Sequence, residues 1–353
     1  MKSAQVSGQH RTATAVGATT CAIGMTIVGT SIAIAPTLED YPVLAGQAWR
    51  YLLAGLILLA ILIIRSPAAV VGVLRVTPAN ALRLIAIAAT GLAAFNWLLI
   101  EGTRHADPAF MAAVVGAAPL ILALLGPATR GDSIRRHTVA GSACVVTGIV
   151  LVHGATGAPL FAWPYALAFL ACEVGFTLLA VPVLKELTPL QLSTGTCLIA
   201  APMLAAVSLV TGERIVQAPT SSETLALLYM AVGTTAIAFL LWYSGVARLG
   251  ADRAGLFIGI MPISGYLAGL MLGNSAWAIP AMTGVLLCGA GIALGLGRSR
   301  SAAEPLEAPD GERQEDRRDD DRPDDRHQQG VLLDPGVAES DRVTEQIPGG
   351  GHG

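Results

Sequence analysis

The chain has 353 residues, of which 53% are hydrophobic and only 13% charged, with a formal net charge of −3. So much apolar surface excludes a water-soluble domain, and so few cations exclude a nucleic-acid binder. The charges are also uneven: residues 301–353 hold 15 of the 25 acidic and 6 of the 22 basic residues.

Residues 1–15 form a short N-terminal segment with Lys2 and Arg11. Ten apolar runs follow, at 16–36, 42–64, 82–101, 108–126, 138–154, 159–182, 189–211, 223–244, 254–272 and 275–297. A helix needs about 20 mostly apolar residues to cross about 30 Å of hydrocarbon. Lipid accepts only helices or closed barrels, and continuous runs without alternation select helices. The first run ends in Ala33-Ile34-Ala35, which resembles a signal-peptide cleavage site, but it is longer than a signal peptide's apolar stretch and is read as a span. The five cysteines (Cys21, Cys144, Cys172, Cys197, Cys288) all fall inside runs and read as small apolar residues, not as disulfides or metal ligands. Residues 298–353 include Glu312 to Arg326, a charged stretch with almost nothing to bury, which predicts a disordered cytoplasmic tail.

The chain repeats itself at an offset of 143 residues. Gly102, Gly116, Pro119, Gly141 and Gly148 have counterparts at Gly245, Gly259, Pro262, Gly284 and Gly291. The two units are 16–154 and 159–297, with five spans each. Five is odd, so the second unit enters the membrane in the opposite sense. The expected fold is an all-α integral membrane protein of ten transmembrane helices, built as two inverted five-helix repeats. If the N-terminus is cytoplasmic, 13 Lys and Arg residues fall on the inner side and 2, Arg104 and Arg214, on the outer. That bias places both termini in the cytoplasm.

Deep polar residues are few. Glu173 lies about 14 residues into the sixth run, near the midplane. A charge there costs about 2.5–3.5 kcal/mol on insertion scales, so it needs a partner, a cavity or a proton. Arg50 lies some eight residues into the second run, roughly 12 Å deep. It either snorkels to the interface or lines a cavity and takes an anionic group. Asn96, with Trp97 beside it, either joins helices or contacts a ligand. Glu101 and Arg104, three apart, read as an interfacial pair, with an outer gate as the alternative. Trp242 and Tyr243 read as part of an aromatic belt. Pro119 and Pro262 interrupt corresponding spans, which points to site-forming breaks or hinges.

The sequence has no Walker A loop, no His-Glu-x-x-His and no Gly-x-Ser-x-Gly, so no ATP drive, metal, cofactor or enzyme activity is expected. His105-Ala106-Asp107 reads as a polar connection.

With these residues placed, the chain resembles the EamA-type transporters of the drug/metabolite transporter superfamily over about residues 16–297. YPVLAGQAWRYLLAGLILL is similar to the family's second helix, with Arg50 at its common arginine. NWLLIEGTRHADPAFMAAVVGAAPLILALL resembles helices three and four. LLWYSGVARLGADRAGLFIGIMPISGYLAGLMLG resembles helices eight and nine, and GVLLCGAGIALGLG the closing helix. Members often carry Gly-Glu after helices four and nine, where this chain has Gly126-Pro127 and Gly273-Asn274. Glu173 matches no family motif. The resemblance implies a bacterial inner-membrane transporter of small metabolites or drug-like solutes, usually an exporter, working by alternating access. Glu173 is the candidate for proton coupling and Arg50 for binding an anionic group or shaping the outer entrance, and a homodimer is a candidate assembly. A lipid-modifying membrane enzyme and a scaffold acting through its tail are the alternatives.

Overall fold

The computed structural model describes residues 2–154, 158–273 and 275–296. Asn274, Arg298, Arg300 and the tail expected from residue 298 lie outside the described residues. Among the described residues the chain is helical, with no strand. Among the described residues nine helices are long and apolar enough to cross a membrane: α1 Thr12–Leu38, α2 Val43–Arg65, α3 Pro78–His105, α4 Pro108–Leu125, α6 Leu160–Val183, α7 Pro189–Val210, α8 Ser221–Leu249, α9 Ala251–Met271 and α10 Ile279–Leu296. Between α4 and α6 runs α5, Arg136–His153, whose terminal Arg136, His137 and His153 dilute its apolar content. A short helix, Pro67–Leu74, links α2 to α3.

Where α4, α7 and α8 begin, side chains satisfy amides that the helix leaves unpaired. Both α7 and α8 open on reciprocal caps, Thr188 with Gln191 and Thr220 with Glu223. Gly250, at φ 84°, makes the tight turn between α8 and α9.

The repeat is visible in the packing. A Cβ on Gly141 would lie 2.5 Å from the Gly291 carbonyl, and one on Gly284 would lie 2.5 Å from the Gly148 carbonyl. Gly284 and Gly291 are Gly141 and Gly148 shifted by 143, so each contact is the other with the two halves exchanged. Cys288, the equivalent of Val145, rests its Sγ 3.6 Å from the Val145 carbonyl. The same holds between α2 and α7, where a Cβ on Gly55 would meet Leu198, its own equivalent, at 2.8 Å. A pseudo-two-fold axis therefore passes through the α5–α10 pair and the α2–α7 pair. With five spans per half, that axis lies in the membrane plane and the repeats are inverted.

Two further features recur at the same offset. The middle of α3, Ile87–Ala94, and the middle of α8, Met230–Ile237, wind as π-helix. Helix α4 breaks between Pro108–Val115 and Ala118–Leu125, and α9 passes through a 3-10 turn, Leu256–Gly259, before Ile260–Met271. Pro119 and Pro262 stand just beyond these breaks. Neither has an N–H to give the carbonyl four residues earlier, which removes the bond that would hold the turn.

Candidate functional site

Wide-turn π segments are uncommon and gather at functional sites. Here both border a cavity of about 770 Å³. It starts at the end of the bundle that carries the α1–α2 connection, at Leu38, Glu39 and Pro42. It descends past the first half of α4, from Pro108 to Gly116, and stops at Trp242, Ile258 and Pro262. Helices from both repeats form the wall, and α7 and α10 contribute nothing to it.

Three of the polar residues singled out in the sequence, Arg50, Asn96 and Glu173, line this one cavity. Arg50 faces the cavity. Its Nε donates to Thr235 Oγ1 at 2.6 Å and its Nη1 to Gln47 Oε1 at 3.0 Å. The guanidinium also stands 5.1 Å from the centre of the Tyr51 ring. Thr235 is buried within the π segment of α8 and donates to the Met230 carbonyl, five residues back, at 3.0 Å. The π winding thus places the hydroxyl that holds the arginine. Asn96 Nδ2 donates to the Leu92 carbonyl at 2.6 Å and to Tyr51 Oη at 3.2 Å.

Glu173 is half-buried, faces the cavity and has no hydrogen-bond or ion-pair partner among the described residues. Aromatic rings surround these groups. Phe95 and Phe169 stand 4.3 Å apart, and Phe176 and Phe239 5.4 Å apart, by ring centres. The cavity can therefore enclose an apolar or aromatic body while offering the Arg50 cation, the Glu173 carboxyl and the Asn96 amide to a polar head, with Glu39 at its mouth.

Other expectations land elsewhere. Trp97 is 38% exposed on the outside of the bundle and does not line the cavity. Successive helix residues point about 100° apart, so Asn96 and Trp97 do not share a face. Pro262 lines the cavity, whereas Pro119 is buried behind it and its neighbour Gly116 takes the lining position. The belt reading of Trp242 and Tyr243 is corrected: they are 3% and 0% exposed, packed inside the bundle because α8 is enclosed by α1, α6 and α7 at that level. Glu101 and Arg104 do pair, at 2.9 Å on the surface. Thr235, Gln47 and the ring set carried no sequence signal beyond being ordinary residues in apolar runs.

Comparison with known proteins gives the chain its family. A sequence model described as the EamA-like transporter family matches residues 15–154 and 162–296. The chain is 26% identical over 261 residues to the uncharacterized transporter YetK of Bacillus subtilis (strain 168), covering 71% of this chain and 78% of that one. It is 28% identical over 203 residues to the aromatic amino acid exporter YddG of Ancylobacter novellus, covering 56% of this chain and 69% of that one. A solved crystal structure superposes with a TM-score of 0.70 at 22% identity, over 81% of this chain and 96% of its own, which shows the shared fold. The protein is a multi-pass membrane protein, and it belongs to the EamA-like transporter family of the drug/metabolite transporter superfamily.

Proposed function

We propose that the protein is a secondary exporter for a small organic solute with an apolar or aromatic body and a charged head, moved by alternating access. The observation that carries this reading is the aromatic-lined cavity. It holds Arg50 and an unpartnered Glu173, reaches one end of the bundle and is packed shut toward the other. Arg50 takes an anionic group. Glu173 exchanges a proton or meets a cationic group, since a carboxyl at that depth with no protein partner must be neutralised by one or the other. The name of the YddG relative supports aromatic amino acids as the first solutes to try. The basic loops support an orientation with both termini in the cytoplasm, so that the open end of the cavity faces outward.

The test is transport in vesicles. Wild-type protein is expected to move at least one aromatic amino acid, and to move it faster when a pH gradient is imposed. Glu173→Gln is expected to keep solute exchange at zero gradient and lose the response to pH. Full coupling in the Gln variant would remove Glu173 from the proton step. No flux of any apolar-bodied charged solute would remove the transport reading itself.

A further inference from the structure

At the end opposite the cavity mouth, the second half of α4 is packed on the start of α9. A Cβ on Gly126 would lie 2.7 Å from the Asp252 amide, and one on Gly255 would lie 2.9 Å from the Leu122 side chain. Among the described residues one ion pair crosses this seam. Arg130, just past α4, donates from Nη2 to Asp252 Oδ1 at 2.8 Å and from Nη1 to the Leu249 carbonyl at 3.1 Å. Its guanidinium lies over Gly250, where any side chain would strike it. Asp252 is 1% exposed, so the pair is sheltered from water on one side. Asp132, 3.3 Å from the same Nη2, is a half-exposed second acceptor.

The two-fold axis assigns every contact at this end a counterpart at the other. Gly126 and Leu122 map to Gly269 and Gly265 on α9, and Asp252 and Gly255 map to Ala109 and Ala112 on α4. At the open end these partners are apart: Ala109 and Ala112 line the cavity, whereas a Cβ on Gly265 would meet Gly29 and Ile32 of α1 and one on Gly269 would meet Ser275. All four are Ala or Gly, small enough for the helices to meet as closely as Gly126 and Asp252 do. Yet the counterpart of Arg130 is Gly273 and that of Asp252 is Ala109, so these positions give the open end no equivalent of that ion pair.

We propose that Arg130 and Asp252 form a one-sided latch on the transport cycle. While the pair is made, α4 and α9 stay closed at the far end and the cavity stays open at the α1–α2 end. When it breaks, α4 rocks across α9, and Ala109 and Ala112 close on Gly269 and Gly265. Because only one end is latched, the resting population favours the state described here. This rests on the transport reading, and its test reads shape instead of flux.

Spin labels at exposed Ser133 and Ala247, in the full chain with Cys144 replaced by Ala, report the gap across the seam in vesicles without solute. Wild type is expected to give one short distance. Asp252→Asn and Arg130→Gln are each expected to add a longer distance, with the open-to-closed ratio raised on the order of tenfold or more, as for loss of one charge-assisted hydrogen bond. The double variant should shift no further than Arg130→Gln alone, because removing Arg130 already removes its bonds to both Asp252 and the Leu249 carbonyl. If Asp252→Asn does not fold, Arg130→Gln, on the wetter side of the pair, carries the test. Unchanged distances in the folded variants, or additive shifts in the double variant, overturn the latch. Absent flux with shifted distances counts against the proposed function alone, and normal flux with unchanged distances counts against the latch alone.

Discussion

Arg50 illustrates how far a single residue could be read before folding. An arginine inside an apolar run announces itself, as do an amide at Asn96 and a carboxyl at Glu173, because hydrocarbon penalises each. What holds Arg50 was not legible. Thr235 is 185 residues away in sequence, and a threonine in a membrane helix is unremarkable by composition. Only the π winding turns its hydroxyl to Met230 and leaves its lone pair for Nε. Removing that acceptor with Thr235→Val should release the guanidinium without touching the lining. A charge-assisted hydrogen bond contributes about 1.5–3 kcal/mol, so solute KM is expected to rise about tenfold or more while the maximal rate changes little. Thr235→Ser should restore KM. Arg50→Lys should not, since an ammonium lacks the fork that reaches Thr235 and Gln47 together. An unchanged KM in Thr235→Val would show that Thr235 does not position the arginine.

At the scale of elements, the ten apolar runs and the ten helices correspond closely, because span length is set by bilayer thickness and shows directly in hydropathy. The paired prolines marked the broken helices. The π segments at Ile87–Ala94 and Met230–Ile237 left no such mark, since the shift from four-residue to five-residue bonding needs no special residue. The matched glycines were legible as a pattern but not as a purpose. Their purpose is backbone contact across the axis: without an aqueous hydrophobic effect, membrane helices gain by close packing of small residues. A Cβ on Gly148 would lie 2.6 Å from both Cys288 Sγ and the Gly284 carbonyl, whereas one on Gly289 meets nothing within 4 Å. Gly148→Val and Gly289→Val carry the same propensity penalty, so their difference isolates packing. Overpacking costs about 1–3 kcal/mol. Thermal melting in detergent should therefore drop clearly for Gly148→Val and hardly for Gly289→Val. Equal melting temperatures would mean that the α5–α10 seam relaxes freely and does not set the axis.

For the whole molecule, the proposed orientation rests on charge and the cavity on packing, and the two are independent. Lys and Arg in the short loops favour the cytoplasm on one side by 13 to 2. Arg130, Arg135 and Lys185 lie at the packed end, while the cavity begins at the opposite end beside Glu39. Together they support the proposed arrangement, in which the cavity opens to the outside and the Arg130–Asp252 pair faces the cytoplasm. Cysteine labelling in intact cells separates the two faces. Ala112→Cys, on the cavity wall of α4, should react with a membrane-impermeant maleimide added outside. Ser133→Cys, exposed at the packed end, should react only after the cells are opened. Four of the five native cysteines are buried and Cys144 is half-buried, so replacing Cys144 by Ala gives a quiet background. The reverse pattern would invert the topology and with it the direction of the open state. Labelling of Ala112→Cys from the cytoplasmic side, in inside-out vesicles, would mean that the packed end opens readily, leaving the Arg130–Asp252 pair too weak to hold the molecule in one state.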